Sequence, residues 1–311
     1  MVTLVTGGGG LLGYSLKGIL PEGVFVTSRD CDLRDFPSVR ELFRHVRPTS
    51  LIHLAAKVGG VKKNALANAD LFSDNIRMNT NVLTVAAEEG VPRVISVLSS
   101  CAFRVFPERP SNEADLHEGL PFDGNLGYGC AKRMLDIQTK LISKQYGYDY
   151  TTLTPVTMYG PNDNWNLEEG HVIASLIHKC FLAKLWGQPL EVWGSGKAVR
   201  QFVYSPDVAR LLILALETYH QPETFVIAPD AGISVRALVE EIVQVMGFQG
   251  PVLFDETKPE GQLIKVILSK KFSGCFPDFK FTPLREGLQK TVEWFMKNYS
   301  YEVNEYEHFA A

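Results

Sequence analysis

The chain has 311 residues, and 31 lysines and arginines against 35 aspartates and glutamates give it a formal net charge of −4. Apolar residues make up 45% and charged residues 21%, ordinary globular values that exclude a disordered or fibrous protein. The mild acidity argues against nucleic acid as a partner. Five widely spaced cysteines without a Cys-x-x-Cys pair predict no metal site and a reducing compartment.

The apolar runs of the sequence are all short. None approaches the ~20 residues that span a bilayer, and the first residues carry no basic targeting segment. We therefore expect a cytoplasmic protein with no membrane partner.

The first half of the chain alternates short apolar runs with helical stretches. Strands are predicted at residues 3–5, 24–27, 51–56, 94–98 and 150–153. Helices are predicted at 11–20, 74–90 and 127–146, and another runs to 46 from a capping box formed by Ser38 and Glu41. This alternation predicts an α/β fold with a doubly wound parallel sheet of the Rossmann type.

The second half loses this rhythm after a cluster of turn residues at 160–164. Helices are predicted at 171–185, 207–218, 235–246 and 284–299, with a strand at 190–193. The pattern predicts a dinucleotide-binding domain at 1–160 plus about 201–230. A smaller C-terminal α/β substrate domain would take about 161–200 and 231–311, where the tail from Ser300 is acidic.

A glycine turn follows the first predicted strand, with Gly7, Gly10 and Gly13 in the spacing G-x-x-G-x-x-G. A turn this tight needs residues without Cβ, and the helix that opens with Leu11 and Leu12 then aims its N-terminus at a pyrophosphate. The motif predicts a nucleotide or dinucleotide site, and a glycine-rich hairpin tip is the alternative.

The second strand ends in Ser28-Arg29-Asp30, which bears on the cofactor. An acid at this position favours the ribose hydroxyls of NAD, whereas arginine favours the 2′-phosphate of NADP. Because Ser28 and Arg29 come before the acid, we predict NADP(H), with a solvated surface charge as the alternative for Arg29. The adenine and ribose walls are predicted to include Asp32, Leu33, Ala55 and Ala56.

Tyr128 and Lys132 share one face of a predicted helix. A nearby ammonium favours the phenolate and would lower the pKa of the tyrosine from ~10, so that Tyr128 could exchange a proton with a carbonyl oxygen. Ser99 ends the fourth strand, where doubly wound sheets bind ligands, and could hydrogen-bond the same oxygen. Glycine turn, Ser99 and the Tyr/Lys pair together predict carbonyl reduction.

In this combination the chain resembles the extended short-chain dehydrogenase/reductases. The segments 53–60, 99–101, 128–134, 160–164, 170–173 and 192–196 are similar to the branch of that family that epimerises and reduces a GDP-sugar. The Ser-Ser-Cys at 99–101 and the Gly-His-Val-Ile at 170–173 discriminate this branch from other sugar-nucleotide enzymes.

The resemblance implies an NADPH-dependent conversion of GDP-4-keto-6-deoxy-D-mannose to GDP-L-fucose. Cys101 and His171 would move protons at C3 and C5, while Ser99 and Tyr128 hold the enolate oxygen. Lys132 would tune Tyr128 and bind the nicotinamide ribose. The resemblance further implies cofactor contacts at Pro155, Thr157, Met158 and His171, and substrate contacts at Lys179, Trp193, Arg200 and Glu260. It also implies a homodimer through the helices at 74–90 and 127–146.

Several departures and alternatives stay open at this level. Thr157 stands where the family usually has Asn, Glu260 where it has Asp, and the segment 102–104 lacks an aromatic-proline pair. Cys101 could instead be a small core residue and His171 a plain helix cap. The alternative functions are a sugar-nucleotide 4-reductase or epimerase with one activity, and a non-catalytic dinucleotide-binding regulator.

Overall fold

The computed structural model describes residues 2–60, 64, 66–104, 106, 109–167, 169–229, 231–258 and 260–299. The predicted acidic tail from Ser300 lies outside the described residues. Within these ranges no helix combines the length and apolarity that a membrane crossing requires.

The strands, numbered in chain order, are β1 (Thr3–Thr6), β2 (Val24–Val26), β3 (Ser50–His53), β4 (Arg93–Val97), β5 (Ser111–Asn112), β6 (Asp149–Pro155), β7 (Thr157–Tyr159), β8 (Leu190–Trp193), β9 (Val199–Arg200), β10 (Phe202–Tyr204), β11 (Phe225–Ile227), β12 (Ile233–Ser234), β13 (Val252–Asp255), β14 (Ile264–Lys265) and β15 (Ile267–Leu268). The helices are α1 (Leu11–Lys17), α2 (Phe36–Val46), α3 (Asn68–Glu88), α4 (Leu126–Tyr146), α5 (Val172–Trp186), α6 (Ser205–Thr218), α7 (Val235–Met246), α8 (Lys270–Cys275) and α9 (Leu284–Asn298).

The central sheet has six parallel strands in the order β11-β6-β4-β3-β1-β2, which confirms the predicted doubly wound fold. From β1 the chain moves outward to β2 and then returns to place β3 on the other side. The sheet order therefore reverses between β1 and β3, and such a reversal opens a crevice at the carboxyl ends of the strands. The five predicted strands of this sheet are present, whereas β11 was not predicted because three apolar residues show no usable period.

The helix over residues 36–46 begins differently from the prediction. Asp35, not Ser38, is its N-cap, and the Asp35 carboxylate accepts hydrogen bonds from the Ser38 backbone N–H at 3.0 Å and from the Ser38 hydroxyl. The capping box of Ser38 and Glu41 is therefore wrong. Pro37 fits the first turn, where the missing N–H has no intrahelical partner, so the helix starts three residues earlier than predicted.

Helix α4 is fixed to the sheet by a fully buried carboxylate, that of Asp136. It accepts hydrogen bonds from Thr152 Oγ1 at 2.6 Å and from Lys140 Nζ and His117 Nε2, both at 2.7 Å. A buried charge is stable only when it is paired and hydrogen-bonded. These bonds hold the helix that carries Tyr128 and Lys132 against β6.

Two clusters of buried apolar side chains lie in the molecule. The first surrounds the central sheet, and the second lies between α5, α7, α9, β8 and β10. Ile267, Phe272 and Phe276 pack in the first cluster although they follow residue 231. The predicted domain boundaries remain a prediction.

Candidate active site

The glycine turn lies at the reversal of the sheet order, between the ends of β1 and β3. Gly7 has φ of +75°, and a Cβ there would lie 2.7 Å from the Ala55 backbone nitrogen. A Cβ on Gly13 would lie 2.6 Å from the Gly7 carbonyl oxygen. Gly10 is exposed and Leu12 is buried in the main cluster. The structure thus brings the predicted turn against Ala55, with backbone open to a ligand.

The end of β2 leaves an arginine exposed beside this turn. The Asp30 carboxylate accepts hydrogen bonds from the backbone N–H and the hydroxyl of Thr27, both at 2.7 Å, so it is occupied locally. Ser28 and Arg29 are exposed, and Arg29 forms no ion pair with any residue in the described ranges. The arrangement leaves Arg29 available to an anion and engages the neighbouring acid.

The predicted adenine wall is divided between solvent and core. Asp32 binds Arg34 through two hydrogen bonds, at 3.0 and 2.8 Å, and these bonds lower the pKa of Asp32 to about 2. Leu33 is buried in the main cluster, whereas Ala55 and Ala56 are half-buried at the strand end.

Ser99, Cys101 and Tyr128 meet beyond the end of β4. The Ser99 hydroxyl oxygen accepts a hydrogen bond from the Cys101 backbone N–H at 3.2 Å, and its side chain also hydrogen-bonds the Tyr128 hydroxyl. Lys132 lies one turn after Tyr128, with Nζ 5.9 Å from the centroid of the Tyr128 ring. The structure therefore brings these three predicted residues together around one position.

The expected effect of Lys132 on Tyr128 is not what the protein alone shows. Burial raises the pKa of Tyr128, the Cys101 thiol adds to the rise, and the hydrogen bond with Ser99 only partly opposes it. The prediction of a lowered pKa is wrong because burial dominates at Tyr128, and the Lys132 ammonium donates to the Val97 carbonyl at 2.7 Å. Burial lowers the pKa of Lys132 itself to about 8.

Cys101 has a cationic neighbour that the sequence did not reveal. Its Sγ lies 3.3 Å from Lys265 Nζ and 3.6 Å from Asn125 Nδ2. An ammonium and a side-chain amide thus both contact the sulfur. The thiol is half-buried, so this is a site reachable by a ligand rather than a closed core position.

His171 is the N-cap residue of α5, and its backbone carbonyl accepts from the Ser175 N–H at 2.9 Å. Its side chain is 41% exposed, and its Nδ1 faces the buried Asp163 carboxylate at 3.5 Å from Oδ1. The position allows one ring nitrogen to face solvent or a ligand while the other faces an acid.

The predicted substrate residues fall into two pairs. Lys179 Nζ lies 4.6 Å above the ring of Trp193, which ends β8 and is 45% exposed. Burial lowers the pKa of Arg200, while the charges of Glu260 and Cys101 oppose this. Glu260 accepts hydrogen bonds from Ser195 Oγ at 2.7 Å and the Ala198 N–H at 3.3 Å. Arg200 thus lies close enough to both Glu260 and Cys101 for their charges to act on it, and the ring of Trp193 is partly open to solvent.

The remaining predicted cofactor positions continue from the sheet. Pro155 closes β6 opposite Ile227, and Thr157 and Met158 are half-buried in β7, which pairs with β10. Among the residues that the structure describes, no group of three or more His, Cys, Asp or Glu side chains could hold a metal ion.

Comparison with known proteins agrees with this geometry. Residues 3–228 match the NAD dependent epimerase/dehydratase family. A GDP-L-fucose synthase from Dictyostelium discoideum is 37% identical over 95% of this chain and 95% of its own length. A probable GDP-L-fucose synthase from Drosophila melanogaster is 35% identical over 95% of this chain and 97% of its own. The chain belongs to the GDP-L-fucose synthase branch of the NAD dependent epimerase/dehydratase family.

A solved structure extends the family likeness to three dimensions. A GDP-L-fucose synthetase from Naegleria fowleri bound to NADP matches with a TM-score of 0.90 and 38% identity, over 96% of this chain and 93% of its own. Such a match covers the central sheet and the smaller cluster alike. The shared fold therefore extends over nearly the whole chain.

The sequence did not predict that Lys265 and Asn125 lie beside Cys101, or that Asp163 lies beside His171. Asp163 belongs to the cluster of turn residues at 160–164. An aspartate in such a cluster predicts a turn and does not by itself indicate an active-site residue. Lys265 lies 164 positions from Cys101 in the chain and follows no motif. Only the packing of β14 near the end of β4 brings this lysine to the thiol.

Proposed function

We propose that this protein converts GDP-4-keto-6-deoxy-D-mannose to GDP-L-fucose by epimerisation at C3 and C5 and NADPH-dependent reduction at C4. The observation that carries the proposal is the convergence of Ser99, Cys101 and Tyr128 beyond one strand end, with Cys101 beside a lysine ammonium. A reductase alone needs the serine and the tyrosine but has no use for a thiol at the same position. The names of relatives with 35–37% identity over nearly the whole chain support the same reaction.

The residues present fit NADP(H). The backbone of Gly9 and Gly10 is exposed at the sheet reversal, and Arg29 is available for a 2′-phosphate. Lys132 is only 2% exposed, and the Val97 carbonyl is the acceptor that its ammonium has within the described ranges. A buried ammonium with three donors requires further acceptors, and the hydroxyls of a nicotinamide ribose would supply them. NADPH, when bound, supplies the hydride that reduces the C4 ketone.

The epimerisation depends on acidity created by the C4 ketone. Cys101, which lies beside the Lys265 ammonium, removes a proton next to the ketone as a thiolate. Ser99 and Tyr128 donate hydrogen bonds to the oxygen on which negative charge develops. His171, which has one exposed edge, returns a proton on the opposite face.

The reduction uses the same oxygen site. Tyr128 gives its proton to the C4 oxygen as the alkoxide forms, and its raised pKa keeps the hydroxyl protonated until then. The buried Lys132 ammonium lies on the same helix face and stabilises the phenolate that remains. Trp193 and Lys179 would hold the nucleotide part of the substrate, and Arg200 the diphosphate.

A homodimer in the cytoplasm completes the proposal. Phe72 of α3 and Met134, Ile137 and Leu141 of α4 are between 37% and 60% exposed, which is unusual for large apolar side chains on two packed helices. A second copy would cover them. The five cysteines are all free in the structure, which suits a reducing compartment. Light scattering tests the dimer, and a monomeric mass would oppose it.

The experiment that tests the reaction is incubation with GDP-4-keto-6-deoxy-D-mannose and NADPH in deuterated water. We expect oxidation of NADPH together with deuterium at C3 and C5 of the product. Oxidation without label at either carbon would reduce the activity to a 4-reductase, and a chain that binds NADPH without turnover would be a binding module.

Cys101→Ser is the matching variant. It should abolish the labelling while leaving NADPH affinity unchanged, since the serine hydroxyl is a far weaker base than a thiolate. Labelling at the wild-type rate would remove Cys101 from the mechanism.

A further inference from the structure

The loop between β7 and α5 carries a buried acid that the proposed chemistry has not used. The side chain of Asp163 is 3% exposed, and its Oδ1 lies 3.5 Å from Nδ1 of His171. Its other oxygen, Oδ2, has no hydrogen-bond partner among the described residues, and neither has the buried His171 Nδ1. An acid and an imidazole nitrogen thus face each other, both shielded from water and both incompletely satisfied.

This arrangement is costly unless the two groups act on each other. Asp163 Oδ1 accepts one hydrogen bond, from the Asn164 backbone N–H at 2.8 Å. One neutral donor does not compensate the burial of a carboxylate, which needs a paired cation or several donors. His171 is the titratable group that faces Asp163 as an ion-pair partner within the described ranges. A shift of about 0.7 Å would bring the pair to the ~2.8 Å of a charge-assisted hydrogen bond.

The loop is held at both ends, so Asp163 has a defined position. On one side Asn162, with φ of 63°, donates from Nδ2 to the Gly9 carbonyl of the glycine turn at 3.3 Å. On the other side the Trp165 carbonyl accepts from His178 Nδ1 at 2.6 Å, and His178 lies about two helical turns beyond His171. The loop therefore connects the glycine turn with the helix that carries His171, and Asp163 lies between these anchors.

We propose that Asp163 is a positioning residue, which fixes the ring of His171 with Nδ1–H directed at its carboxylate and Nε2 directed at the substrate. The inference rests on the proposed function for its catalytic meaning, but the pair itself exists without substrate. With the ring held in this way, Nε2 can deliver a proton as the acid of the epimerisation. Cys101, whose Sγ lies 3.3 Å from Lys265 Nζ, takes the role of the base, so the two groups divide the proton transfer between them.

The proton balance of one inversion follows from this division. The Cys101 thiolate takes the proton from the carbon next to the ketone and becomes a thiol, and the electron pair moves into the enolate. The imidazolium of His171 gives its Nε2 proton to the opposite face of that carbon and becomes neutral. Asp163 keeps its charge throughout and accepts the Nδ1–H bond before and after. Exchange with water then restores the thiolate and the imidazolium.

The test is Asp163→Asn in the full-length chain, with deuterium uptake into GDP-4-keto-6-deoxy-D-mannose as the readout. Asparagine keeps an oxygen for the Asn164 N–H, so the turn is retained while the charge is lost. We expect a loss of roughly 10²-fold or more in the uptake rate, within the range for a general acid. Asp35→Asn, which alters a helix-capping carboxylate on the surface, is the control and should leave uptake unchanged.

A double variant separates positioning from simple structural support. If Asp163 acts through His171, Asp163→Asn should cost almost nothing further in a His171→Gln background. An equal loss in both backgrounds, or wild-type uptake in Asp163→Asn alone, would overturn the proposal. KM for the substrate should change little compared with kcat, because the acid does not touch the ligand.

Nitrogen-15 spectra of histidine-labelled protein test the pair without any substrate. At a pH where the ring is neutral, the His171 signals, assigned with His171→Gln, should show the Nδ1–H tautomer in the wild type and a loss of that tautomer in Asp163→Asn. An identical tautomer mixture in both proteins would overturn the proposal. Failure of the wild type to turn over the GDP-sugar would instead refute the proposed function. The spectra would still show whether Asp163 and His171 form the proposed hydrogen bond.

Discussion

Replacing Gly13 by alanine should damage the cofactor turn in a way that can be calculated from the structure. A Cβ at Gly13 would lie 2.6 Å from the Gly7 oxygen, 2.7 Å from Gly8 Cα and 2.8 Å from Gly8 C. All three are backbone atoms, roughly 0.7 Å inside ordinary van der Waals contact, so no side chain can yield. Overpacking of this kind costs about 1–3 kcal/mol of unfolding free energy. Because the turn itself must open, we also expect NADPH binding to weaken at least tenfold.

Gly18→Ala provides the matched control at the other end of the same helix. Gly18 has φ of −70° and ψ of −20°, and its Cβ would meet the Ser15 oxygen at an acceptable 3.6 Å. Alanine there should be neutral or stabilising by about 0.4–1 kcal/mol, since it restricts the unfolded chain. Urea unfolding and NADPH fluorescence titration measure both quantities. If Gly13→Ala matched the control in stability and in NADPH affinity, the reasoning from the turn geometry would be refuted.

Two further predictions concern the neighbours of the reactive groups. Lys265→Met should slow alkylation of Cys101 by iodoacetamide on the order of three- to tenfold at neutral pH, because the sulfur loses its neighbouring cation. Lys265→Arg should retain most of the rate. Peptide mass spectrometry measures the alkylation rates, and equal rates in all three proteins would contradict the prediction. Asp136→Asn should lower the unfolding free energy at pH 7 by about 1–3 kcal/mol. Burial would raise the pKa of Asp136, but its three hydrogen bonds outweigh burial and lower that pKa. The contribution of Asp136 to the free energy of unfolding is therefore fully present above the unfolded pKa of ~3.9, and it is lost as the pH falls through the lower pKa of the folded state. Urea midpoints of the two proteins should therefore converge below pH 4, and a constant difference would argue against an ionised Asp136.

The sequence by itself determined what depends on short stretches of chain. The alternation of apolar runs with helical periods predicted five of the six strands in the central sheet, and turn glycines marked the ends of several helices. Gly247, for example, directly follows the helix predicted at 235–246 and ends α7 with φ of 59°, in the left-handed region that favours glycine. The Tyr128–Lys132 spacing and the glycine turn indicated the chemistry, because both motifs are local and their geometry follows from a helix and a tight turn. 

The tertiary structure alone decided how distant residues share charge. Lys265 contacts Cys101 although the two residues are 164 positions apart in the chain. The Lys132 ammonium donates a hydrogen bond to the Val97 carbonyl and not to Tyr128, and this choice depends on side-chain packing that no local pattern encodes. The N-cap of α2 was also decided only in the structure. Asp35 and Ser38 are both residue types that cap helices, and it is the Asp35 carboxylate that accepts the hydrogen bond from the Ser38 backbone N–H. Local patterns specify which backbone forms; the pKa of a group and the partner of a charge are set by what the fold brings within a few ångströms.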